Sequence, residues 1–203
     1  MKLGVISDVH GDLKALKRAL DLLTTRHSVE GVWCAGDLVG RGKNPDEVVA
    51  TIVQGEMPVV MGNHDEMVLT ARVFRTGRVL TLGEALGYRA RTMHLLTTLP
   101  RTYRAQIDGH TLVMVHGSPR SNAEAISINP QNRQQNLDWL EKVGADILIT
   151  GHTHAPMSLR GGRGLVVNPG SLFDPTGFKR SSSETYGVLD IPAMHFDIFT
   201  LWD

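Results

Sequence analysis

The sequence predicts an α/β domain built on two β-sheets. Two observations carry this. Strand-like and helix-like stretches alternate from the first residues to Gly62, and the second half is rich in short apolar strands interrupted by one helix. Strand–helix–strand alternation implies parallel strands joined by right-handed crossovers.

The elements follow in order. "KLGVIS" is a short buried strand. In "LKALKRALDLL", Leu13, Leu16, Leu20 and Leu23 share one helical face, Lys14, Lys17 and Arg18 lie off it, and Asp12 is placed to cap the N-terminus. "GVWCAG" is a second strand, and Pro45 to Gln54 a second helix with proline in its first turn. "PVVMG" reads as a third strand, and Asp65 to Leu99 as mostly helical, broken at Gly77, Gly83 and Gly87. Further strands are expected at 103–107, 111–115, 147–150, 165–167, 186–191 and 195–201, with Asp108 to His110 as a hairpin turn between the first two. One helix near Gln134 to Val143 points Leu137, Leu140 and Val143 inward. A chain of 203 residues without internal repeats suits one domain spanning its length, 1–203.

Composition narrows the function classes. A net charge of zero creates no field favouring nucleic acid or an anionic membrane, so no specific nucleic-acid binding is expected. No apolar stretch reaches the roughly 18–20 residues of a membrane helix. The N-terminal apolar run is too short for a signal peptide, and the single Cys34 fits a reducing compartment, so a cytoplasmic location is expected. A homo-oligomer is left open.

The strand ends carry the chemistry. "LGVIS" is followed by Asp8 and His10, "GVWCAG" by Asp37, and "PVVMG" by Asn63, His64 and Asp65. "TLVMV" is followed by His116, and "DILITG" by His152 and His154. In open α/β sheets, ligands bind at the carboxyl ends of the strands. Turns ordinarily use Gly, Asn and Asp, which explains any one of these sites but not the recurring histidines. Seven candidates (Asp8, His10, Asp37, Asn63, His116, His152 and His154) exceed what one ion can use, whereas two ions sharing one carboxylate can use them all. Nitrogen and oxygen donors without thiolate suit manganese first, with iron, zinc, nickel or cobalt as alternatives. The i, i+2 spacing of His152 and His154, read as strand, aims both to one side.

"SDVHGD", "GDLVGRG", "GNHD", "HGSPR" and "GHTH", in this order and with "NPGS" at 168–171, resemble the calcineurin-like metallophosphoesterase superfamily. "HGSP" and "NPGS" look most like its small bacterial and archaeal phosphodiesterase branch. The resemblance implies a four-layer αββα sandwich and a dinuclear site: Asp8, His10 and His154 on one ion, Asn63, His116 and His152 on the other, Asp37 bridging. It further implies His64 as catalytic histidine, with Asp65 orienting it. A metal-bridging hydroxide would then attack the phosphorus of a small phosphoester substrate.

Arg41 and Arg120 follow the motifs directly and are candidate phosphate contacts. The segment from Arg72 to Arg104 carries seven arginines against one acid, Glu84. It is either a helical flap over the site or, as the favoured reading, a solvated face paired with acids elsewhere. The histidines His27, His94, His110 and His195 are expected to be structural or exposed, and Asn168 a turn residue. The expected activity is therefore phosphodiester hydrolysis. The alternatives are a phosphomonoesterase or protein phosphatase, whose "HGG" is absent here, and a non-catalytic metal-binding scaffold on the same fold. Dinucleoside polyphosphates and cyclic nucleotides stay open as substrates. An amidohydrolase barrel would need more βα units than this chain has.

Overall fold

Alternation along the strands decides what each face packs against. The computed structural model describes residues 1–162, 164–174 and 184–202. In β1 (Lys2–Ile6), Leu3 and Val5 point into one core and Ile6 into another. β1 runs parallel to β2 (Gly31–Cys34) and antiparallel to β10 (Thr185–Asp190), which pairs with β11 (His195–Thr200), giving a sheet ordered β11-β10-β1-β2. The second sheet is ordered β5-β6-β7-β9-β8 and comprises β5 (Thr102–Ile107), β6 (His110–Val115), β7 (Ile147–Ile149), β8 (Met157–Gly161) and β9 (Gly164–Asn168). Its central strands β6, β7 and β9 are parallel.

Three apolar cores define four layers. Leu3, Val5, Trp33, Leu112, Met114, Ile147, Ile149 and Val167 fill the space between the sheets. On the outer face of the first sheet, Ile6 and Cys34 pack against α1 (Leu13–Thr25), α2 (Pro45–Gln54), α3 (Asn63–Thr70) and α5 (Ala90–Thr97). On the outer face of the second, Val113, Leu148 and Val166 pack against Trp139 and Leu140 of α6 (Arg133–Val143). This is the expected αββα sandwich. Each fully buried aliphatic side chain contributes about 1.5–3 kcal/mol by leaving water.

Local chemistry explains most boundaries. The Asp12 carboxylate accepts the Ala15 N–H at 2.9 Å and starts α1. Its buried stripe is Ala15, Leu16, Ala19, Leu22 and Leu23, with Leu13 and Leu20 at the margin. The small alanines let the helix approach the sheet, and Leu23 lies so close over Gly4 that a Cβ there would come within 2.8 Å of its methyls. α6 ends at Gly144 in the left-handed conformation, the usual glycine stop.

Three expectations need correction. "PVVMG" forms no ladder strand; it runs along β2 and makes one isolated parallel bridge, Cys34 to Val59. Pro58 has no N–H to offer and supplies only its carbonyl, to the Cys34 N–H at 2.9 Å. The segment 72–81 is a hairpin, not helix: β3 (Arg72–Arg75) and β4 (Arg78–Thr81) join at Thr76-Gly77, both at positive φ. A short helix, α4 (Leu82–Leu86), follows. The segment is not a helical flap, since α5 buries Thr92 and Leu96 in the body, and Phe74 and Val79 of the hairpin are the exposed part. Its arginines are largely engaged: Arg89 lies within 3.7 Å of Asp46, Arg101 pairs with Glu66, and Arg104 donates to the last carbonyls of α6. Thirdly, β8 was not expected. Among the described residues, no helix is long and apolar enough to cross a membrane.

Candidate metal centre

The loops after β1, β2, β6 and β7, with the N-terminus of α3, meet at one rim of the two sheets. Asp8, His10, Asp37, His152 and His154 all adopt positive φ, between 48° and 67°. Few residues other than glycine do so, and clustering of such strain marks sites that the surrounding fold holds in place. Here the holding bonds are backbone ones. Asp8 N–H donates to Gly36 at 3.0 Å, His10 N–H to Asp37 at 2.9 Å, and Gly151 N–H to His116 at 2.7 Å. Glycine is required where loops touch: a Cβ on Gly62 would lie 2.0 Å from Asp37 Oδ1, and one on Gly151 2.0 Å from Ser7 Oγ.

The seven side chains fall into two groups. In the first, His154 Nε2 lies 3.2 Å from Asp8 Oδ1 and 3.1 Å from His10 Nε2. In the second, Asn63 Oδ1 lies 2.8 Å from His152 Nδ1 and 3.1 Å from His116 Nε2. Asp37 Oδ2 sits between them, 3.7 Å from His10 Nε2 and 3.4 Å from His116 Nε2. His152 and His154 thus diverge to different groups. They lie on a left-handed loop past β7 rather than on a strand, so the one-sided geometry expected from i, i+2 spacing does not apply.

The donor chemistry asks for a cation. His10 Nδ1 faces the Val39 carbonyl at 3.2 Å and His116 Nδ1 the Ala35 carbonyl at 2.6 Å. A carbonyl only accepts, so each Nδ1 carries a proton. Each Nε2 is left facing carboxylate oxygens, which only accept, so a second proton or a cation has to lie between them. Asp8 Oδ1 is buried and has no hydrogen-bond partner at all. Such an atom costs about 1–3 kcal/mol unless something positive meets it. The set Asp8, His10 and His154, and the set Asp8, Asp37 and His116, each bring ligand atoms within 4.8 Å of one another. Protonation shows the same demand. Burial disfavours the His116 imidazolium, yet Asp37 and Asp8 raise it to about 9. His10 is lowered to about 4 by burial.

His64 borders the cluster. Its N–H donates to Asp37 Oδ1 at 2.8 Å, and its ring meets that of His10 edge-on at 4.8 Å. Nε2 is 3.5 Å from the Arg41 guanidinium, and Nδ1 is buried without a partner. Burial lowers its pKa, with Arg41 and His116 acting the same way.

Asp65 does not orient His64. Its Oδ1 accepts the N–H groups of Leu38 and Val39 at 2.8 and 3.1 Å, and its Oδ2 that of Gly62 at 3.0 Å. Both oxygens are thus committed to tying the Asp37 loop to the start of α3. Arg120, expected on phosphate, is instead held by Glu124 and lies over the Trp139 ring at 5.5 Å. Asn168 is no plain turn residue. It is fully buried, its Nδ2 donates to Gly151 O at 2.7 Å and Thr153 Oγ1 at 3.1 Å, and its Oδ1 accepts from Gly170 at 2.8 Å. Sequence reasoning also passed over Ser7, which donates to Asp8 Oδ2 at 2.6 Å, and Thr150, which donates to His116 O and Gly117 O. Their adjacency to the motifs was the only available signal.

Comparison with known proteins gives the arrangement its relatives. The phosphodiesterase YfcE of Escherichia coli is 25% identical over 190 residues, covering 94% of this chain and 88% of its own. The symmetrical bis(5'-nucleosyl)-tetraphosphatase of Paracidovorax citrulli is 33% identical over 122 residues, but the match spans 57% of this chain and 44% of that enzyme. The crystal structure of a metallophosphoesterase from Sphaerobacter thermophilus superposes with a TM-score of 0.76 at 25% identity, covering 98% of this chain and 87% of that one. The profile of the calcineurin-like phosphoesterase superfamily domain matches residues 1–194, and the chain belongs to that superfamily.

Proposed function

We propose that this chain is a metal-dependent phosphodiesterase that holds two divalent transition-metal ions, manganese first. Asp8, His10 and His154 would hold one ion and Asn63, His116 and His152 the other, with Asp37 shared. The observation that carries this reading is the buried, unpartnered Asp8 Oδ1 among inward-facing imidazole nitrogens. Bound ions would supply Lewis acidity, activating water and neutralising phosphoryl charge. The preference for diesters draws support from the whole-length likeness to the Escherichia coli phosphodiesterase. A cytoplasmic setting is proposed with it, on the strength of the single, buried Cys34.

The chain's own residues do the rest. Asp37 uses Oδ1 to accept the His64 N–H and leaves Oδ2 for the ions. That bond fixes the start of α3, and with it both Asn63 and His64. We assign the Arg41 guanidinium, which lies beside His64 Nε2, to contact with a non-bridging phosphate oxygen. We assign His64 to stabilising the transition state or protonating the leaving alkoxide, roles worth typically ~10²–10⁴-fold.

Metal analysis combined with rates on a phosphodiester and a phosphomonoester tests this reading. We expect about two ions per chain, faster diester hydrolysis, and a His64→Ala variant that keeps its metal but turns over at least ~100-fold more slowly. Bound metal with no hydrolysis of either ester returns the scaffold reading. A His64→Ala variant at wild-type rate removes His64 from the chemistry.

A further inference from the structure

The two carboxylate oxygens of Asp8 have different surroundings. Oδ2 accepts the Ser7 hydroxyl at 2.6 Å and the His152 backbone N–H at 3.0 Å, whereas Oδ1 is buried with no hydrogen-bond partner. That free oxygen lies 3.2 Å from His154 Nε2 and 4.0 Å from His116 Nε2, so it faces both groups of candidate ligands. Two hydrogen bonds fill the lone pairs of Oδ2, fix the rotation of the carboxylate and leave Oδ1 as its single metal-binding atom.

The frame behind this carboxylate joins distant parts of the chain. Ser7 is fully buried, and its carbonyl accepts the Leu172 N–H at 3.1 Å. The Ser171 hydroxyl lies 3.1 Å from the Asp8 carbonyl and braces a turn whose φ is 54°. The "NPGS" stretch, 168–171, therefore backs the Ser7–Asp8 turn as well as the His152 loop, which Asn168 reaches through the Gly151 carbonyl. Gly151 leaves the room that the Ser7 hydroxyl occupies: a Cβ there would lie 2.0 Å from Ser7 Oγ and 2.9 Å from Asp8 Oδ2. The hydroxyl thus sits where the loops after β1 and β7 touch, and its one proton is directed at a candidate ligand carboxylate. No step of the proposed hydrolysis uses it.

We infer that Ser7 is a positioning residue for both metal positions. Its hydroxyl, together with the His152 N–H, turns Asp8 Oδ1 toward the ions. Through the shared Oδ2 it also ties Asp8, assigned to one ion, to the backbone of His152, assigned to the other. This rests on the two-metal reading and extends it to a residue outside the ligand set. Groups that hydrogen-bond a metal ligand typically change metal affinity by roughly 10–100-fold when removed. Because the Ser7 bond lies on an oxygen that serves both groups, its loss is felt at both positions, unlike the loss of His154.

The test starts from the manganese-loaded protein, wild type and Ser7→Ala, titrated with a competing chelator of known affinity while elemental analysis reads the metal retained. Ser7→Ala removes one buried oxygen and adds nothing that needs space. The matched control is Thr92→Val. Thr92 is also buried, and its hydroxyl also donates to a carboxylate, that of Asp46, where α5 meets α2 away from the ligand loops. Each variant loses one buried hydroxyl–carboxylate bond, so a general loosening of the fold would move both alike. We expect Ser7→Ala to bind each of its two ions roughly 10–100-fold more weakly than wild type, and Thr92→Val to bind both as wild type does. Wild-type affinity for both ions in Ser7→Ala overturns the inference, and so does equal weakening in Thr92→Val. Weakening confined to one ion overturns the tie between the positions. In each of these cases, two ions on the wild-type chain leave the two-metal reading standing. A wild-type chain that holds fewer than two ions removes that reading, and this inference with it.

Discussion

Replacing Asp65 separates two roles for a carboxylate that neighbours the candidate catalytic histidine. The side chain is fully buried and accepts three backbone N–H groups, from Leu38, Val39 and Gly62, at 2.8, 3.1 and 3.0 Å. Asp65→Ala would leave all three donors buried without a partner. A hydrogen bond to a charged group contributes about 1.5–3 kcal/mol, and an orphaned donor costs about 1–3 kcal/mol. We therefore expect Asp65→Ala to lose about 4 kcal/mol of stability or more, among the largest effects of a single substitution. Asp65→Asn is milder because its oxygen can keep Leu38 and Val39. Its amide then faces the Gly62 N–H, donor against donor, which costs about 1–3 kcal/mol. Urea unfolding monitored by circular dichroism measures both. The metal content of Asp65→Asn should fall as well, because the Asp37 loop and α3 lose a tie. A carboxylate that merely oriented His64 would behave otherwise, losing turnover with stability and metal intact. An Asp65→Ala variant within 1 kcal/mol of wild type would falsify the structural assignment.

Other substitutions probe the site from different sides. His152→Ala and His154→Ala should each lose about one ion per chain, from different positions, by elemental analysis and by spectroscopy of a cobalt- or manganese-loaded protein; two retained ions in either variant refute the division into two groups. Asn168→Ala should lower stability by about 1–3 kcal/mol, by leaving the Gly170 N–H unpaired and taking one of two donors from the Gly151 carbonyl, and should weaken metal binding through the 151–154 loop. Thermal unfolding with and without metal reads both effects. Arg120→Ala should leave KM within about twofold of wild type, since its guanidinium is committed to Glu124 and Trp139. A tenfold rise in KM restores it as a phosphate contact.

Most of the fold was legible because its signals are local. Short apolar runs marked β1, β6 and β10, the Asp12 cap and leucine spacing marked α1, and Asp108-Gly109 marked the β5–β6 turn, where both residues take positive φ. Two signals were misweighed. Around Thr76-Gly77, Val73 and Val79 alternate with charged residues, a hairpin pattern, yet the flanking helices α3 and α5 made the whole stretch read as helical. β8 begins two residues after His154-Ala155, and its alternation of Met157 and Leu159 with polar residues was hidden behind the stronger motif.

The candidate site divides along a different line. Residues with unusual side-chain chemistry were visible, because nothing in ordinary turn formation places histidine repeatedly after buried strands. Residues that support them were not, because their partners are backbone atoms, which leave no mark on the sequence. Asp65 shows why proximity in sequence misleads. On a helix, neighbours i and i+1 point in different directions. His64 therefore faces His10 and Arg41 while Asp65 turns under the Asp37 loop. Asn168 shows the converse: its partners, Gly151 and Thr153, lie 17 and 15 residues away and come within reach only because β7 and β9 are adjacent. The seat of the Arg41 loop belongs to the same class. It is pressed against the turn at His10, a contact set by Gly42 having no side chain rather than by any residue having one. Metal chemistry can be read from the side chains a sequence has, whereas the shape of a substrate site depends as much on the ones it omits.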